Sequence, residues 1–134
     1  MKIANKEQYL AEILLSIYDS ANTLFNDERW NGSEDIFLKL IAENELLLAY
    51  CESDVVGFIT YNNSVKGYLI ITGLYVKKDY QKRGIASNLL YALIENISDT
   101  KVMAEVINNA TWAKNFYEKN DFSIIPKEQD IAKI

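Results

Sequence analysis

The sequence predicts an α/β fold in which one mixed, mostly antiparallel sheet is flanked by helices. Three consecutive segments rich in Leu, Val, Ile, Phe and Tyr occupy residues 45–52, 55–61 and 67–76. Short polar turns separate them, which is the pattern of an antiparallel meander. Helical periodicity precedes the meander, and helices alternate with strands after it. The predicted order is helix, helix, three strands, helix, strand, helix, strand, which defines a layered α/β domain.

The predicted helices are identified by apolar residues that recur every three or four positions. The first helix spans 7–25, and a short second helix follows Ser33, whose side chain is suited to an N-cap. A third helix follows the charged turn at 77–83 and extends to Ile97. A fourth helix spans 110–119. We expect these helices to cover the sheet with their apolar faces.

Two further strands are predicted after the meander. They span 101–107 and 122–125, and Pro126 stops the second of them. The tail at 127–134 is compatible with an additional edge strand. Within the meander, Gly73 interrupts the third strand, and an isolated glycine there indicates a bulge or a close approach to the backbone.

The composition excludes several classes of function. The chain has no histidine and one cysteine, Cys51, so Ser-His-Asp and Cys-His catalysis and an internal disulfide are excluded, and no metal site is expected. A net charge of −5 argues against nucleic-acid binding. No apolar run reaches the roughly 20 residues that span a bilayer, and no signal peptide is evident, so we expect a cytoplasmic protein without membrane contact. Acid–base chemistry must fall to Glu, Asp, Tyr or Lys.

The stretch 81–86, with the sequence QKRGIA, lies between the third strand and the third helix. The first N–H groups of a helix have no intrahelical partner and carry partial positive charge, so they can bind a pyrophosphate that comes close to the backbone. Gly84 and Ala86 leave room for that approach, and Lys82 and Arg83 add positive charge. The patterns G-x-x-x-x-G-K-[ST] and G-x-G-x-x-G are both absent. The alternative interpretation is an ordinary strand-to-helix turn.

Residues 74–90, LYVKKDYQKRGIASNLL, resemble the acetyl-CoA signature of the GNAT acetyltransferase superfamily, [Q/R]-x-x-G-x-[G/A]. The fixed positions match at Gln81, Gly84 and Ala86, and the order of elements from 7 to 125 is also similar. The resemblance implies that the turn holds the pyrophosphate of acetyl-CoA through backbone amides and that the preceding strand pairs with its pantetheine arm. The residues it assigns to the donor site are Leu74, Tyr75, Val76, Gln81, Lys82, Arg83, Gly84, Ile85 and Ala86.

The same resemblance indicates an acid and a base. Tyr117 lies in NFYEKNDF, which is similar to the family segment F-Y-E-K-x-G-F, so it is the candidate acid and a donor contact. Asp121 replaces the usual glycine and tolerates the left-handed backbone needed there. Glu105 is the candidate base, because the ribosomal-protein N-terminal acetyltransferase branch has a strand glutamate at this spacing from the tyrosine. Asn109 is the candidate pantetheine ligand. The competing interpretations are a packing tyrosine and an exposed glutamate.

The predicted function is direct transfer of an acetyl group from acetyl-CoA to a primary amine of a small molecule or peptide, by a single domain spanning residues 1–134. The alternative is a non-enzymatic module that binds or senses acyl-CoA. Acetyl-CoA is the one cofactor expected, as acyl donor. Many members of the family dimerise, and the short ends of this chain are compatible with a homodimer.

Overall fold

The architecture was analysed on a computed structural model, which describes residues 6–22, 34–95, 97, 100–104, 106 and 111–123. Its elements follow the predicted order. They are α1 (Lys6–Asn22), α2 (Glu34–Glu43), β1 (Glu45–Cys51), β2 (Asp54–Asn62), β3 (Tyr68–Val76), a short 3-10 helix (Lys78–Tyr80), α3 (Ile85–Ile94), β4 (Lys101–Ala104) and α4 (Thr111–Lys119). The predicted α/β class is confirmed.

The four strands form one sheet in the order β1-β2-β3-β4. The first three strands pair antiparallel, so the predicted meander is confirmed. β4 pairs parallel to β3 and is reached through α3, as a parallel neighbour requires a crossover connection. The sheet is therefore mixed and mostly antiparallel.

A bulge interrupts the pairing of β2 with β3, at the place that Gly73 indicated. Thr60 pairs with Gly73, whereas the next residue, Tyr61, pairs with Ile71, so Thr72 is the extra residue on β3. β4 pairs only with the first half of β3, and its last pair is Ala104 with Ile71. Within the part of the chain that is described, no strand pairs with that edge of β3 beyond Ile71. The second half of β3 therefore has an edge that a ligand can use.

Apolar side chains cover both faces of the sheet. On one face, α1 and α2 pack against an aromatic group in which the Tyr18 ring lies 5.3 Å from Tyr75 and 5.6 Å from Phe37. On the other face, Leu89 and Leu90 of α3 pack with residues of β2, β3 and α4. Strand alternation sends successive side chains to these two clusters. The sheet is thereby held rigidly between two helical layers.

α4 ends in a turn that corrects the last predicted strand. Asp121 has φ 70°, the Phe122 N–H donates to the Tyr117 carbonyl at 3.0 Å, and the Asp121 N–H donates to the Glu118 carbonyl at 3.1 Å. This pair of bonds is a Schellman motif with Asp121 in the left-handed position, as predicted. Because Phe122 is used by the motif, it and Ser123 lie in no strand. Residues 124 and 125 lie outside the described residues.

Three other predicted elements are shorter than expected. The strand predicted at 101–107 is described as β4 only to Ala104, and Val106 lies in no strand. The third helix, predicted to extend to Ile97, ends at Ile94, and Ile97 lies in no helix. The helix predicted from 7 to 25 is described to Asn22, and residues 23–25 lie outside the described residues. Ser33, the tail at 127–134 and the remaining positions of these elements lie outside the described residues.

Candidate functional site

The turn after β3 is closed by the predicted signature glutamine. The Gln81 Nε2 donates to the Val76 carbonyl at 2.9 Å, and the Gln81 N–H donates to the Lys78 carbonyl at 3.3 Å. The Lys78 N–H donates to Ser20 Oγ on α1 at 2.9 Å. Gln81 thus holds the turn against the strand end, and its own amide is already engaged within the turn.

The backbone beyond Gln81 is open to a ligand. Gly84 is the N-cap of α3 with φ 81°, and no side chain caps the helix. The first intrahelical bond runs from the Asn88 N–H to the Gly84 carbonyl at 2.9 Å, so the N–H groups of the first turn are left for another acceptor. Apart from Gly84 itself, its chain neighbours and the adjoining helix backbone, no atom of the described residues lies within 4 Å of the point where a Cβ at Gly84 would stand. Glycine at this position therefore provides both the left-handed turn and open space in front of the amides.

A cleft of 1020 Å³ lies between this turn and α4. Its volume suits a large organic ligand, since ligand pockets are typically about 300–1,000 Å³. Its lining residues are Val76, Tyr80, Gln81, Lys82, Gly84, Ile85, Ala86, Ser87, Asn115, Phe116, Glu118, Lys119 and Asn120. Of the predicted turn residues, Arg83 is not part of the lining, and the others are brought together here: Gln81, Lys82, Gly84, Ile85 and Ala86. The α4 residues were not identified from the sequence. The signal that could have identified them is the helical spacing of Asn115, Phe116 and Lys119 on one face of α4.

The charge around the cleft favours an anion. Lys82 and Arg83 are exposed on the turn, and Lys119 is exposed on the opposite wall. Glu118 is the acidic residue of the lining. The Arg83 guanidinium lies 5.0 Å above the Tyr80 ring, a cation–π contact that leaves its charge available. In a chain of net charge −5, this concentration of positive charge beside a helix N-terminus indicates a phosphate-bearing ligand.

The predicted strand residues have buried side chains. Leu74, Tyr75 and Val76 are 8%, 2% and 3% exposed, and the Leu74 and Tyr75 side chains point to opposite apolar clusters. Only the backbone edge of this segment can therefore contact an extended ligand arm. Val76 also contributes to the cleft wall, which makes the edge continuous with the cleft.

Tyr117 occupies a packed position at the end of α4. Its ring centroid lies 5.2 Å from that of Phe116 and 5.1 Å from that of Phe122, and the side chain packs on the α3 cluster. It is not among the cleft-lining residues, although Phe116 and Glu118 on either side of it are. The Tyr117–Phe122 contact is the apolar contact that accompanies a Schellman motif. Glu105 and Asn109 lie outside the described residues, so their relation to Tyr117 stays a prediction.

Tyr61 has a shifted pKa but lies away from the cleft. Burial, and then the charge and hydrogen bond of Glu45, raise the pKa of Tyr61 above its usual value near 10. Its phenol therefore stays protonated at neutral pH, beside the carboxylate that faces it across β1 and β2. This pair fastens two strands and takes no part in the candidate site.

Within the described ranges, no group of three or more Cys, Asp or Glu residues is arranged to hold a metal ion. None of the helices described is long and apolar enough to cross a membrane.

The fold and cleft together define an α/β protein with a strand–turn–helix site for a phosphate-bearing ligand. A sequence model of the acetyltransferase (GNAT) domain matches residues 42–124, which is more than half of the chain. The chain therefore belongs to the GNAT acetyltransferase family, and the resemblance of residues 74–90 is confirmed.

Individual relatives agree with this assignment. The chain is 32% identical over 80 residues to streptothricin acetyltransferase A of Bacillus subtilis (strain 168), in an alignment that covers 58% of this chain and 46% of that protein. It thus spans about half the length of that relative. The PaiA N-acetyltransferase of Thermoplasma acidophilum, solved in complex with coenzyme A, has a TM-score of 0.74 and 19% identity, with 92% of this chain and 90% of that chain covered. Ribosomal-protein-alanine N-acetyltransferase of Brucella melitensis biovar Abortus 2308 has a TM-score of 0.65 and 17% identity, with 89% and 92% covered.

Proposed function

We propose that this protein is an acetyl-CoA-dependent N-acetyltransferase that transfers the acetyl group directly to a primary amine of a small molecule or peptide. The observation that carries the proposal is the N-terminus of α3, which faces a cationic cleft beside the part of β3 that lies beyond its pairing with β4. Family membership supplies the reaction class, and the predicted single domain spanning 1–134 is part of the proposal.

The residues present fit acetyl-CoA as the donor. The N–H groups that follow Gln81 would donate hydrogen bonds to its pyrophosphate oxygens, and the open space at Gly84 gives the phosphate access to them. Lys82 and Lys119, which line the cleft, and Arg83, which is exposed on the same turn, would offset its negative charge. The backbone from Leu74 to Val76 would pair with the pantetheine arm. Acetyl-CoA supplies an activated thioester, so the protein has only to position the donor and to move protons.

The proposed proton transfers use Glu105 and Tyr117. Glu105 would remove the proton that the acceptor amine loses when it attacks the thioester carbonyl, and Tyr117 would protonate the leaving thiolate. Because the chain has no histidine, a carboxylate and a phenol are the residue types available for this pair besides lysine. The resemblance to the ribosomal-protein branch supports the spacing, and Asn109 is the proposed pantetheine ligand.

The acceptor is proposed only as a class. One relative is named for streptothricin and one for the alanine of a ribosomal protein, so the comparisons include both a small molecule and a protein amine. The net charge of −5 favours a cationic acceptor.

One observation favours a second candidate, a module that binds acyl-CoA without catalysis. Tyr117 closes the Schellman motif of α4 and is not part of the cleft wall, which is the geometry of a structural tyrosine. Under this alternative the donor binds at the same cleft, but neither Glu105 nor Tyr117 carries a proton.

Thiol release from acetyl-CoA separates the two candidates. The protein is incubated with acetyl-CoA and a panel of polyamines, aminoglycosides, amino acids and peptides, and free CoA is measured. For an enzyme, Glu105→Gln and Tyr117→Phe each lower kcat by about 100-fold or more, while the dissociation constant of acetyl-CoA stays near the wild-type value. Wild-type turnover in both variants would contradict the assigned roles. Binding of acetyl-CoA without thiol release across the panel would favour the binding module.

A further inference from the structure

Four polar side chains form a connected hydrogen-bond cluster at the bulge of β3. The Asn44 Oδ1 accepts from Asn62 Nδ2 at 3.0 Å and from Thr72 Oγ1 at 3.0 Å. The Thr60 and Thr72 hydroxyl oxygens lie 2.8 Å apart. The Asn44 Nδ2 donates to the Leu40 carbonyl at 3.2 Å. The cluster therefore joins the end of α2, just before β1, to the strands β2 and β3.

The direction of each bond follows from counting protons. A hydroxyl has one proton, and Thr72 donates its proton to Asn44. Thr60 must then be the donor toward Thr72. The Asn44 oxygen has both lone pairs occupied, by Thr72 and Asn62. The cluster is thus a complete and directional chain, and Thr60, which is fully buried, depends on it for its partner.

The position of the cluster gives it a role in the donor site. Thr72 is the extra residue of the bulge, so strand pairing with β2 does not fix it in the regular way. Its hydroxyl fixes it instead, through Asn44 and Thr60. The next residues, Gly73 to Val76, form the part of β3 that lies beyond its pairing with β4. The bulge decides where that backbone edge points.

We propose that Asn44, Thr60 and Thr72 position the acyl-pantetheine part of the donor by holding the β3 bulge, so that the backbone from Gly73 to Val76 is presented to it. This inference rests on the proposed function. The three side chains act through the backbone and are positioning residues. The turn at 81–86 lies beyond the end of β3, so the nucleotide end of the donor does not depend on them.

The affinities of two ligands distinguish a loss of donor positioning from a general loss of stability. Adenosine 3′,5′-bisphosphate carries the nucleotide end with the first phosphate of the pyrophosphate, whereas acetyl-CoA adds the second phosphate and the acyl-pantetheine arm. Both dissociation constants are measured by calorimetry for the full chain. The ratio of the bisphosphate constant to the acetyl-CoA constant gives the joint contribution of the second phosphate and the arm. We expect Thr72→Val to reduce that ratio about tenfold and to leave the bisphosphate within about twofold of wild type. Thr72→Ser keeps the hydroxyl and should retain the ratio.

A double variant addresses loss of stability. Thr72→Val alone leaves the buried Thr60 hydroxyl without an acceptor, whereas Thr60→Val together with Thr72→Val leaves no unpaired hydroxyl and should fold better. If the three side chains position the donor, the ratio of dissociation constants stays reduced in the double variant even though its free energy of unfolding recovers. Ile70→Val, on the same strand before the bulge, is the control and should keep the wild-type ratio.

Three results would overturn the inference. They are an unchanged ratio in Thr72→Val, an equal weakening of both ligands, or a ratio that recovers with stability in the double variant. A wild-type protein that binds neither ligand would instead refute the proposed function itself, so the two failures are distinguishable.

Discussion

At the scale of single residues, backbone conformation explains the residue type at several positions where side-chain chemistry does not explain it. Lys82, Gly84 and Asp121 all have positive φ. Gly84 starts α3 and Asp121 ends α4, and these two turns carry opposite walls of the cleft. The site is therefore shaped by residues selected for left-handed backbone as much as by residues that contact a ligand.

Asp121 provides a direct test of this point. Its φ of 70° is strained for a residue with a Cβ, and glycine carries no such strain. We expect Asp121→Gly to raise the free energy of unfolding by up to about 1 kcal/mol and Asp121→Val to lower it by about 1–2 kcal/mol. Thermal unfolding of the three proteins measures both changes. A valine variant as stable as wild type would contradict the assigned Schellman motif.

Lys119 is the cleft cation that the sequence analysis did not identify. It lies on the wall opposite Lys82, so its charge should attract a phosphate group of the donor. We expect Lys119→Gln to raise the dissociation constant of acetyl-CoA by roughly three- to tenfold, with the larger effect at low salt. Lys66→Gln, the same charge change on the β2–β3 turn, should have no effect. Equal affinities in the two variants would exclude Lys119 from the site.

At the scale of elements, close contact between β2 and β3 fixes the position of the β3 backbone that we propose for donor binding. Gly57 is buried opposite Val76, the last residue of β3 and part of the cleft wall. A Cβ at Gly57 would lie 3.0 Å from the Tyr75 carbonyl oxygen and 3.2 Å from Val76 Cγ2. The backbone of β3 would have to move to accept even one methyl group.

Gly57→Ala should therefore affect both stability and binding. We expect a loss of about 1–3 kcal/mol in the free energy of unfolding from overpacking, and a weaker affinity for acetyl-CoA because the end of β3 shifts. Ile17→Val on α1 loses about 0.5–1.5 kcal/mol in the opposite core and should leave affinity unchanged. Thermal unfolding and calorimetry on both variants test this, and an alanine variant with wild-type affinity would contradict it.

The elements that were predicted well from the sequence are those that are determined by residues close together in the chain. The meander follows from apolar segments and polar turns, the bulge from Gly73, and the turn between β3 and α3 from Gln81 and Gly84. The last strand was wrong at Phe122, because the helix cap draws this residue back to Tyr117. That competition between a cap and a strand depends on tertiary packing, which apolar patterning does not report.

At the scale of the whole molecule, the parts that were missed join residues distant in the chain. Lys119 meets Lys82 only because the β3–α3–β4 crossover brings α4 next to the turn, and Asn44 meets Thr72 only across the sheet. The residue pattern within a single helix or strand does not predict these contacts between distant residues. The sheet, with an apolar layer on each face, then fixes the cleft relative to the part of β3 that lies beyond its pairing with β4.

The measurement that tests the central claim most directly is thermal unfolding with and without acetyl-CoA. At 100 times its dissociation constant the donor should stabilise the protein by about 2.7 kcal/mol, a shift of several degrees for a chain of this size.

Gly84→Glu should abolish this shift, because its carboxylate would enter the open space before the α3 amides. Gly84→Ala has the same backbone strain as Gly84→Glu but adds no charge. It should therefore keep part of the thermal shift that acetyl-CoA causes. Absence of any shift in the wild-type protein at millimolar acetyl-CoA would contradict the account of the donor site.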